Sequence, residues 1–428
     1  MAMKKAFSLL LCLVLMLGVL AVPALGEEPI TLYMVESLTS PARSAVLQEI
    51  IAAFEAEHPN IHIELVSPPL ETADQKIYQM LANGSDIDIL EVRDINVGMM
   101  TANEYVIPLD DYVANWADAG TLTDSVEATA TLVGDAYYLI PYGFYRKMVY
   151  YRCDWFEEAG LSAPTTWEEL IEDCKILTDP EKGRYGFTFR GGSGGSGYYN
   201  MLLLDNLGEA MLDNEQNLLL ADHSGTVYST DVAVETLKQY KDLYENGSPK
   251  DSITWGYPDQ VQAFTSGVTA VLIQDPEVVA SCEASMEPGT WATCPMPVGA
   301  SGQDAFFPGY AGWGISHCCE HPDEAWEFIS FLSNPENNVK FAEVYSTIPI
   351  HTNAAEYSEF FSTGAFAAYS QMDNRPEDYF FSCGMFKYER NSAFGTTADP
   401  TVQAYLMGDY TEEECLQILN DFWADVIE

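Results

Sequence analysis

From residue 29 onward, the hydrophobic positions of the chain alternate between strand-like and helix-like periods. A short apolar run, 30–35, predicts a buried strand. The next apolar residues recur at helical spacing after a proline and stop before a His-Pro-Asn break; they are Leu47, Ile50, Ile51 and Phe54. The same alternation continues with a strand at 61–66, a helix at 77–81 and a strand at 87–92. Repeated strand–helix–strand units predict a mostly parallel sheet that helices cover on both faces.

The stretch 135–170 contains a pattern that predicts a crossing between two domains. A short apolar run, 137–140, is followed by Pro141 and Gly143, and then by a second predicted strand, 148–151. We expect Pro141 to end the first strand and Gly143 to supply a permissive backbone between the two strands. A flexible turn between two stiff strands is typical of a hinge.

The N-terminus predicts export from the cytoplasm. Lys4 and Lys5 precede a long apolar run, 6–22, and small residues occupy the sites that a signal peptidase reads in Ala24-Leu25-Gly26. We therefore predict a signal peptide over 1–26, cleaved after Gly26, and a mature protein in the periplasm or at the cell surface. A retained membrane anchor is the alternative, because the apolar run approaches the ~20 residues that span a bilayer.

Length and charge limit the classes of partner. About 400 residues remain after the signal peptide, more than the ~250–300 at which a single hydrophobic core stops growing, so two lobes are expected. The formal net charge is −46, and its acidic residues are dispersed over predicted helix faces. This field repels nucleic acids and anionic membranes, and neither is expected as a partner. The dispersed pattern favours a solvated surface over a dedicated cation site.

The mature chain contains eight cysteines, which are Cys153, Cys174, Cys282, Cys294, Cys318, Cys319, Cys383 and Cys415. Export permits disulfide bonds, and Cys282 with Cys294 is the most local candidate pair. Free thiols are equally compatible with the sequence, because a chain of this size can form sufficient hydrophobic cores without covalent cross-links.

Several short segments resemble one protein family. Y-L-I-P ends at Pro141, Y-Y-R-C-D-W-F spans 150–156, and P-T-T-W-E-E-L spans 164–170. Together they resemble the extracellular solute-binding proteins of ABC importers, in particular the sugar-binding group that includes maltose-binding protein. Arg152-Cys153 departs from the Asn-Lys pair of that family. Further segments that resemble the same family lie at 54–61, 84–89, 264–271 and 322–329.

The resemblance implies a fold and a division of the chain. The implied fold is α/β and two-lobed, a periplasmic-binding-protein-like fold of type II, with a mostly parallel central sheet in each lobe. About three crossovers form its hinge. The implied crossings are near Tyr142, near Phe307-Pro308 and near 349–351. The implied N-terminal lobe is 27–143 plus 309–351, and the implied C-terminal lobe is 144–308 plus 352–428.

One motif resembles a hydrolase signature. Gly191-Gly192-Ser193-Gly194-Gly195 satisfies the G-x-S-x-G pattern of a serine hydrolase. However, the glycine-rich run continues beyond it, and no companion motif supplies the histidine and the acid. We interpret the segment as a flexible wall of small residues that lets a polar ligand approach backbone amides, with Arg190 at its base.

A second motif resembles a zinc site. His317-Cys318-Cys319-Glu320-His321 satisfies the H-x-x-E-H pattern, which requires both histidines on one helix face. Pro322 follows directly and is best suited to the first turn of the next helix. The two histidines are therefore expected in the preceding turn, and no metal site is predicted.

Ligand-binding candidates follow from the position of polar and aromatic residues after predicted strands, because ligands of open α/β sheets bind at the carboxyl ends of strands. The candidates are Glu36, Ser37, Arg93, Asp94, Tyr142, Tyr145, Arg190, Gly191, Trp255, Tyr257, Asp275, Tyr310 and Trp313. Sugars require polar groups around the rim and aromatic rings against the faces, and this set supplies both.

The predicted function is that of a non-catalytic receptor. The resemblance implies a carbohydrate ligand, a mono- or oligosaccharide, and delivery to the membrane permease of an ABC transporter. We expect a monomer without cofactor or metal. A receptor of the same fold for a polyamine or a metal chelate is one alternative. A secreted carbohydrate hydrolase is the other; it requires a pair of catalytic carboxylates across a cleft, whereas Asp86 and Asp88 are expected on the same side of one strand.

Overall fold

The computed structural model describes residues 29–423, except for 70–71, 131–135, 214–217, 307–308, 374, 383–384, 386–387 and 389. The predicted signal peptide and the predicted crossing at Phe307-Pro308 therefore lie outside the described residues. Across the described ranges, no helix combines the length and the apolar character needed to cross a membrane.

The described residues form an alternating series of strands and helices. The strands are β1 (Ile30–Val35), β2 (Ile61–Val66), β3 (Ile89–Arg93), β4 (Ile140–Tyr145), β5 (Met148–Tyr151), β6 (Tyr185–Phe187), β7 (Thr269–Gln274), β8 (Ala292–Cys294), β9 (Asp304–Phe306), β10 (Gly309–Ile315) and β11 (Tyr379–Phe381). The helices are α1 (Pro41–Glu57), α2 (Ala73–Ala82), α3 (Asp94–Ala102), α4 (Asp110–Val113), α5 (Asp124–Ala130), α6 (Cys153–Ala159), α7 (Trp167–Leu177), α8 (Gly195–Leu207), α9 (Asp231–Gly247), α10 (Tyr257–Thr265), α11 (Val278–Ser285), α12 (Pro322–Leu332), α13 (Pro335–Tyr345), α14 (Ala367–Asp373), α15 (Asn391–Met407) and α16 (Glu412–Phe422).

The described residues form three sheets: two larger ones organise the molecule, and a small third one pairs β9 with β11. The first has the strand order β2-β1-β3-β10-β4, and the second has the order β6-β7-β5-β8. Strands β1, β2 and β3 are parallel, with Ile30 paired to Ile61, whereas β10 pairs antiparallel with both β3 and β4. In the second sheet only β6 and β7 are parallel. The two larger sheets are thus mixed, not mostly parallel as expected, because strands next to the crossovers pair antiparallel with their neighbours.

Each of the two larger sheets supports its own hydrophobic core. Strands β1 to β4 and β10 contribute to one core together with α1, α12 and α13. Strands β5 to β8 contribute to the other, together with α7 to α9 and the final helices α15 and α16. Ile348 packs against both cores. The chain is therefore two-lobed, as predicted.

The strand next to the crossover differs from the expected one. Pro141 lies inside β4 and pairs with Gly312, next to an irregularity in the register with β10, so it does not end the strand. Gly143 allows close packing: a Cβ atom there would lie 2.4 Å from Oγ1 of Thr347. The glycine is needed because the two chain segments between the lobes touch at this point; Phe144 and Ile348 form the adjacent bridge.

Local signals in the sequence explain several helix ends. Ser40 caps α1 with Pro41 in the first turn, and Gly160 ends α6 in the left-handed conformation with φ of 71°. Thr166 and Glu169 form a complete capping box at the start of α7. Helix α13 begins at Pro335 after an Asn334 cap and ends at Tyr345, which takes part in the site described below.

Candidate functional site

A group of charged and aromatic side chains from both lobes lies next to the crossover between β4 and β5. We call it the cleft cluster, and its members are Asp94, Tyr145, Lys147, Tyr257, Asp275, Glu277 and Tyr345. Asp94 follows β3 of the first sheet, and Asp275 follows β7 of the second. Their negative charges are close enough that Asp275 helps to raise the pKa of Asp94. The cluster therefore joins the carboxyl ends of strands from two sheets.

Asp94 is held at the start of α3 by backbone groups. Its Oδ1 accepts a hydrogen bond from the amide of Ile95 at 2.7 Å, and the backbone of Tyr310 supplies another. Burial raises the pKa of Asp94 to about 6, with the charge of Asp275 adding to the shift and Arg93 opposing it. Arg93 itself pairs with Asp74 at 2.9 Å. The Asp94 carboxyl is thus half-buried, and its neighbour Arg93 is already paired with another carboxylate.

An ion pair links the crossover to the second sheet. Nζ of Lys147 donates to Oδ2 of Asp275 at 2.7 Å, with 33% and 20% of the two side chains exposed. The hydroxyl of Tyr150 donates to the backbone carbonyl of Asp275 at 2.8 Å and fixes the loop. Although burial opposes the charge of Lys147, Asp275 keeps the pKa of Lys147 above its ordinary value. Both charged groups remain within reach of a ligand.

Glu277 completes the acidic side of the cluster. Burial raises the pKa of Glu277 to about 8, and the nearby charge of Asp275 adds to the shift. Its side chain is hydrogen-bonded to Tyr257, while its Oε2 is buried without a hydrogen-bond partner among the described residues. Tyr345, from the other lobe, is close enough that Glu277 contributes to raising the pKa of its phenol.

The structure brings together four of the residues predicted from sequence and adds three that the sequence did not indicate. The predicted members are Asp94, Tyr145, Tyr257 and Asp275; the additional ones are Lys147, Glu277 and Tyr345. Glu277 lies two positions beyond Asp275 in the same loop, so a longer search of that loop would have included it. Tyr345 lies at the end of a helix and has no such signal.

Other predicted residues belong to a fully buried network below the cleft. The buried network consists of Glu36, Ser37, Arg43, Glu91 and Tyr142, none of which is more than 2% exposed. Nη1 of Arg43 donates to Glu36 at 2.9 Å, and Nη2 donates to Glu91 at 2.8 Å. Glu36 also accepts from Ser44 and Ser67. In this structure the Glu36 and Ser37 side chains therefore face protein atoms and expose no surface to a ligand.

Two aromatic candidates on β10 are also enclosed. Trp313 is 0% exposed and Tyr310 is 1% exposed, and both belong to the core of the first lobe. The Trp313 ring packs near Tyr142, with ring centroids 5.5 Å apart, and near the guanidinium of Arg43. Strand β10 lies between β3 and β4, so helices and neighbouring strands cover this ring. Its position leaves no face on which a sugar could stack.

The glycine-rich segment is a closed loop and not a flexible wall. The amides of Gly194 and Ser196 donate to the carboxylate of Asp399 at 2.7 and 3.0 Å. Nε of Arg190 donates to the carbonyl of Ser193 at 2.6 Å, and a Cβ atom at Gly191 would meet the backbone of Ile253 at 2.4 Å. The amides that were expected to face a ligand are thus occupied by a carboxylate of the protein itself.

Trp255 lies beside this loop. Its carbonyl accepts from the amide of Gly192 at 3.0 Å, and its side chain is half-buried, two positions before Tyr257. Unlike Trp313, it retains an exposed surface that is large enough to contact a ligand.

The cysteine and histidine motifs acquire a simpler interpretation. The seven cysteines that the structure describes are free, so Cys282 and Cys294 form no disulfide. His321 precedes the first turn of α12, as predicted for the turn before Pro322. Within the part of the chain that the structure describes, no group of three or more His, Cys, Asp or Glu side chains is arranged to hold a metal ion.

An open groove of about 400 Å³ lies elsewhere on the first lobe. It is lined by Val66, Ser67, Pro68, Pro69, Thr72, Gln75, Lys76 and Gln79. None of these residues belongs to the cleft cluster, and the groove contains neither aromatic rings nor carboxylates. The convergence of charged and aromatic groups makes the cleft cluster the stronger candidate.

Comparison with known proteins gives the family. The model of the bacterial extracellular solute-binding proteins matches residues 39–339. A putative binding protein of Brucella abortus (strain 2308) is 23% identical over 349 residues, covering 81% of this chain and 82% of the relative. The multiple sugar-binding protein of Streptococcus mutans serotype c is 24% identical over 331 residues, which cover 70% of each chain.

Among solved structures, an ABC transporter solute-binding protein from Thermotoga lettingae bound with α-D-tagatose superimposes with a TM-score of 0.79 at 20% identity. The match covers 94% of this chain and 100% of the other, which confirms the predicted two-lobed α/β fold. With the family model matching most of its length, this chain belongs to the bacterial extracellular solute-binding proteins.

Proposed function

We propose that this protein is an exported receptor of an ABC importer that captures a sugar or polyol between its two lobes and delivers it to the membrane permease. The observation that carries the proposal is the cleft cluster. Asp94 and Tyr345 adjoin one hydrophobic core, and Tyr257 and Asp275 adjoin the other. A ligand that contacts both sides stabilises the closed arrangement by the difference between its affinities for the closed and open forms.

The chemistry of the cluster suits a hydroxyl-rich ligand. Carboxylates accept hydrogen bonds from sugar hydroxyls, and the ammonium of Lys147 donates to them. Tyrosine rings offer apolar faces to C–H groups while their hydroxyls contact the rim of the ligand. The named ligands of the relatives, multiple sugars and α-D-tagatose, belong to the same chemical class. We propose Trp255 as a further ligand contact because its side chain remains partly exposed.

The remaining parts of the proposal concern the lobes and the compartment. We propose lobes of 27–143 plus 309–351 and 144–308 plus 352–428, a division that the membership of the two cores supports except at Phe144 and Tyr145, which pack in the first core. We also propose cleavage of the signal peptide after Gly26, a monomer, and binding without catalysis. Family membership supports secretion to the periplasm or the cell surface.

A polyamine receptor is the second candidate. Asp94, Asp275 and Glu277 outnumber the single ammonium of Lys147 in the cleft cluster, an arrangement that favours a ligand with amino groups. However, Lys147 already pairs with Asp275, and burial raises the pKa values of Asp94 and Glu277, which reduces the negative charge available to a cation.

Thermal unfolding in the presence of D-tagatose, maltose, D-mannitol or spermidine separates the two candidates. A ligand that binds only the folded state raises the unfolding midpoint. At a ligand concentration a hundredfold above the dissociation constant, the folded state is stabilised by about 2.7 kcal/mol. We expect a shift with a sugar or polyol and none with spermidine; the reverse result would establish the polyamine receptor. Chromatography of maltose after incubation tests catalysis, and released glucose would contradict a receptor without enzymatic activity.

A further inference from the structure

We infer that the buried network fixes the direction of the hydrogen bonds at the cleft, so that Tyr145 offers the ligand an acceptor and not a donor. This inference rests on the proposed function and names the group that the ligand must present there: a hydroxyl or amino group that donates. Arg43, Glu91 and Tyr142 act as positioning residues, because they touch Tyr145 or one another and not the ligand.

The direction originates at Glu91. Its Oε2 accepts from the amides of Ser37 and Leu38 at 2.5 and 2.9 Å, and its Oε1 accepts from Nη2 of Arg43 at 2.8 Å. Although burial opposes ionisation, Arg43 and these donors keep the pKa of Glu91 below its ordinary value. Glu91 is therefore a carboxylate, and a carboxylate can only accept hydrogen bonds.

The carboxylate of Glu91 in turn decides which hydroxyl donates in the next two hydrogen bonds, those of Tyr142 and Tyr145. The hydroxyl of Tyr142 lies 2.7 Å from Oε1 of Glu91 and must donate its single proton to it. The hydroxyls of Tyr142 and Tyr145 are 2.8 Å apart, so Tyr145 supplies the proton for that second hydrogen bond. Both protons are now committed, and the Tyr145 oxygen retains only lone pairs. Such a chain is cooperative, because each hydrogen bond polarises the next one.

Tyr145 lies where a ligand would meet it. It is the last residue of β4, and its side chain is half-buried. Tyr145 and Asp94 lie on either side of Gly309: a Cβ atom added to this glycine would be 3.6 Å from Cβ of Tyr145 and 3.2 Å from Oδ2 of Asp94. The ring of Tyr345 packs beside that of Tyr145, with ring centroids 6.1 Å apart.

The test is substitution of Tyr142 by Phe, which removes the hydroxyl between Glu91 and Tyr145 and keeps the ring. Tyr199→Phe is the matched control, because it removes a buried tyrosine hydroxyl that donates to the carbonyl of Ala233 in the other lobe. Calorimetric titration compares D-tagatose, maltose and D-mannitol with their mono-deoxyfluoro derivatives. Fluorine is similar in size to a hydroxyl but cannot donate a hydrogen bond.

In the wild-type protein, we expect one fluorine position to weaken binding by about tenfold, since the lost donor would face the lone pairs of Tyr145. In Tyr142→Phe the Tyr145 hydroxyl is free to turn and donate to fluorine. The ratio between the affinities of the parent sugar and its fluorinated derivative should therefore fall close to one. It should persist in Tyr199→Phe. An unchanged ratio in Tyr142→Phe, with the parent sugar still bound, would overturn the inference and leave the proposed function intact.

If none of the three probes binds, the proposed function fails. The relay, meaning the hydrogen-bonded chain from Glu91 through Tyr142 to Tyr145, is then tested in the unliganded protein. Tyrosine labelled with ¹³C at Cζ reports the hydrogen bonding of each phenol by nuclear magnetic resonance. With signals assigned by Tyr145→Phe, we expect the Tyr145 resonance to move in Tyr142→Phe and to stay in Tyr199→Phe. An unmoved Tyr145 resonance would refute the relay.

Discussion

In the buried network, the guanidinium of Arg43 binds Glu36 at 2.9 Å and Glu91 at 2.8 Å, and all three side chains are fully enclosed. In the cleft cluster, the ammonium of Lys147 binds Asp275 at 2.7 Å, but part of each side chain is exposed and Glu277 keeps a carboxyl oxygen without a partner among the described residues. The two regions use the same chemical groups. Full enclosure makes the first structural, and partial exposure leaves the second able to bind a ligand.

The strongest test of this comparison removes the cation of the buried network. Arg43→Met should lower the free energy of unfolding by about 3–5 kcal/mol, because two carboxylates remain buried without a countercharge. Denaturation by urea measures the loss. Arg152→Met is the control, since Arg152 pairs with Asp154 at 2.6 Å with 15% and 37% of the two side chains exposed, and its loss should cost less than about 1 kcal/mol. Equal losses would show that burial does not separate the two kinds of ion pair.

The next test removes a charge from the cleft cluster. Asp275→Asn should weaken binding of the sugar or polyol ligand by about tenfold, because a charged acceptor contributes more than a neutral one. Its effect on unfolding should stay within about 1 kcal/mol. Asp242→Asn provides the matched control: Asp242 pairs with Lys175 at 2.8 Å on the surface, away from the cleft. Calorimetric titration of both variants measures the affinity, and equal affinities would exclude Asp275 from the site.

A smaller effect concerns pH. The pKa of Glu277 is raised to about 8 and that of Asp94 to about 6, so the folded protein binds these protons more tightly than the unfolded chain does. Stability contributed by the bound protons is present at pH values near 4 and is lost as the pH rises through 6 to 8.

We therefore expect Glu277→Gln to flatten the decline in unfolding free energy between pH 6 and pH 8 by roughly 1 kcal/mol, after allowance for partial exposure of the group. Glu64→Gln, at an exposed position on β2, should leave the slope unchanged. Urea denaturation at a series of pH values measures both slopes. A slope in Glu277→Gln identical to that of the wild type would mean that Glu277 is ionised in the folded protein.

The smallest effect is expected at Trp255. Replacement by Ala should weaken ligand binding severalfold with little change in unfolding, because the ring is only half-buried and lies beside the cleft cluster. Tyr357→Ala, which removes a 47% exposed ring, is the control for nonspecific loss of an aromatic side chain. An unchanged dissociation constant for Trp255→Ala would remove this residue from the site.

The secondary-structure elements are more predictable from the sequence than the site is. Strands at 30–35, 61–66 and 148–151 were predictable because the period of the hydrophobic pattern matches the pleat of a strand. Asp94 and Asp275 were predictable as candidates in the same way, from their places after strands. The same rule selects Glu36 and Trp313, which follow or belong to strands but face the interior. One strand pattern cannot tell which neighbouring helix will cover a side chain.

By itself, the sequence determined the two-lobed α/β architecture and the order of its elements, because periodicity, caps and turns are local properties of the chain. The tertiary structure alone decided which carboxylates are paired. Arg43 reaches Glu91 across 48 positions, and Lys147 reaches Asp275 across 128. Hydrogen bonding and exposure depend on such distant neighbours. They separate a buried network that stabilises the first lobe from a cleft that remains open to a ligand.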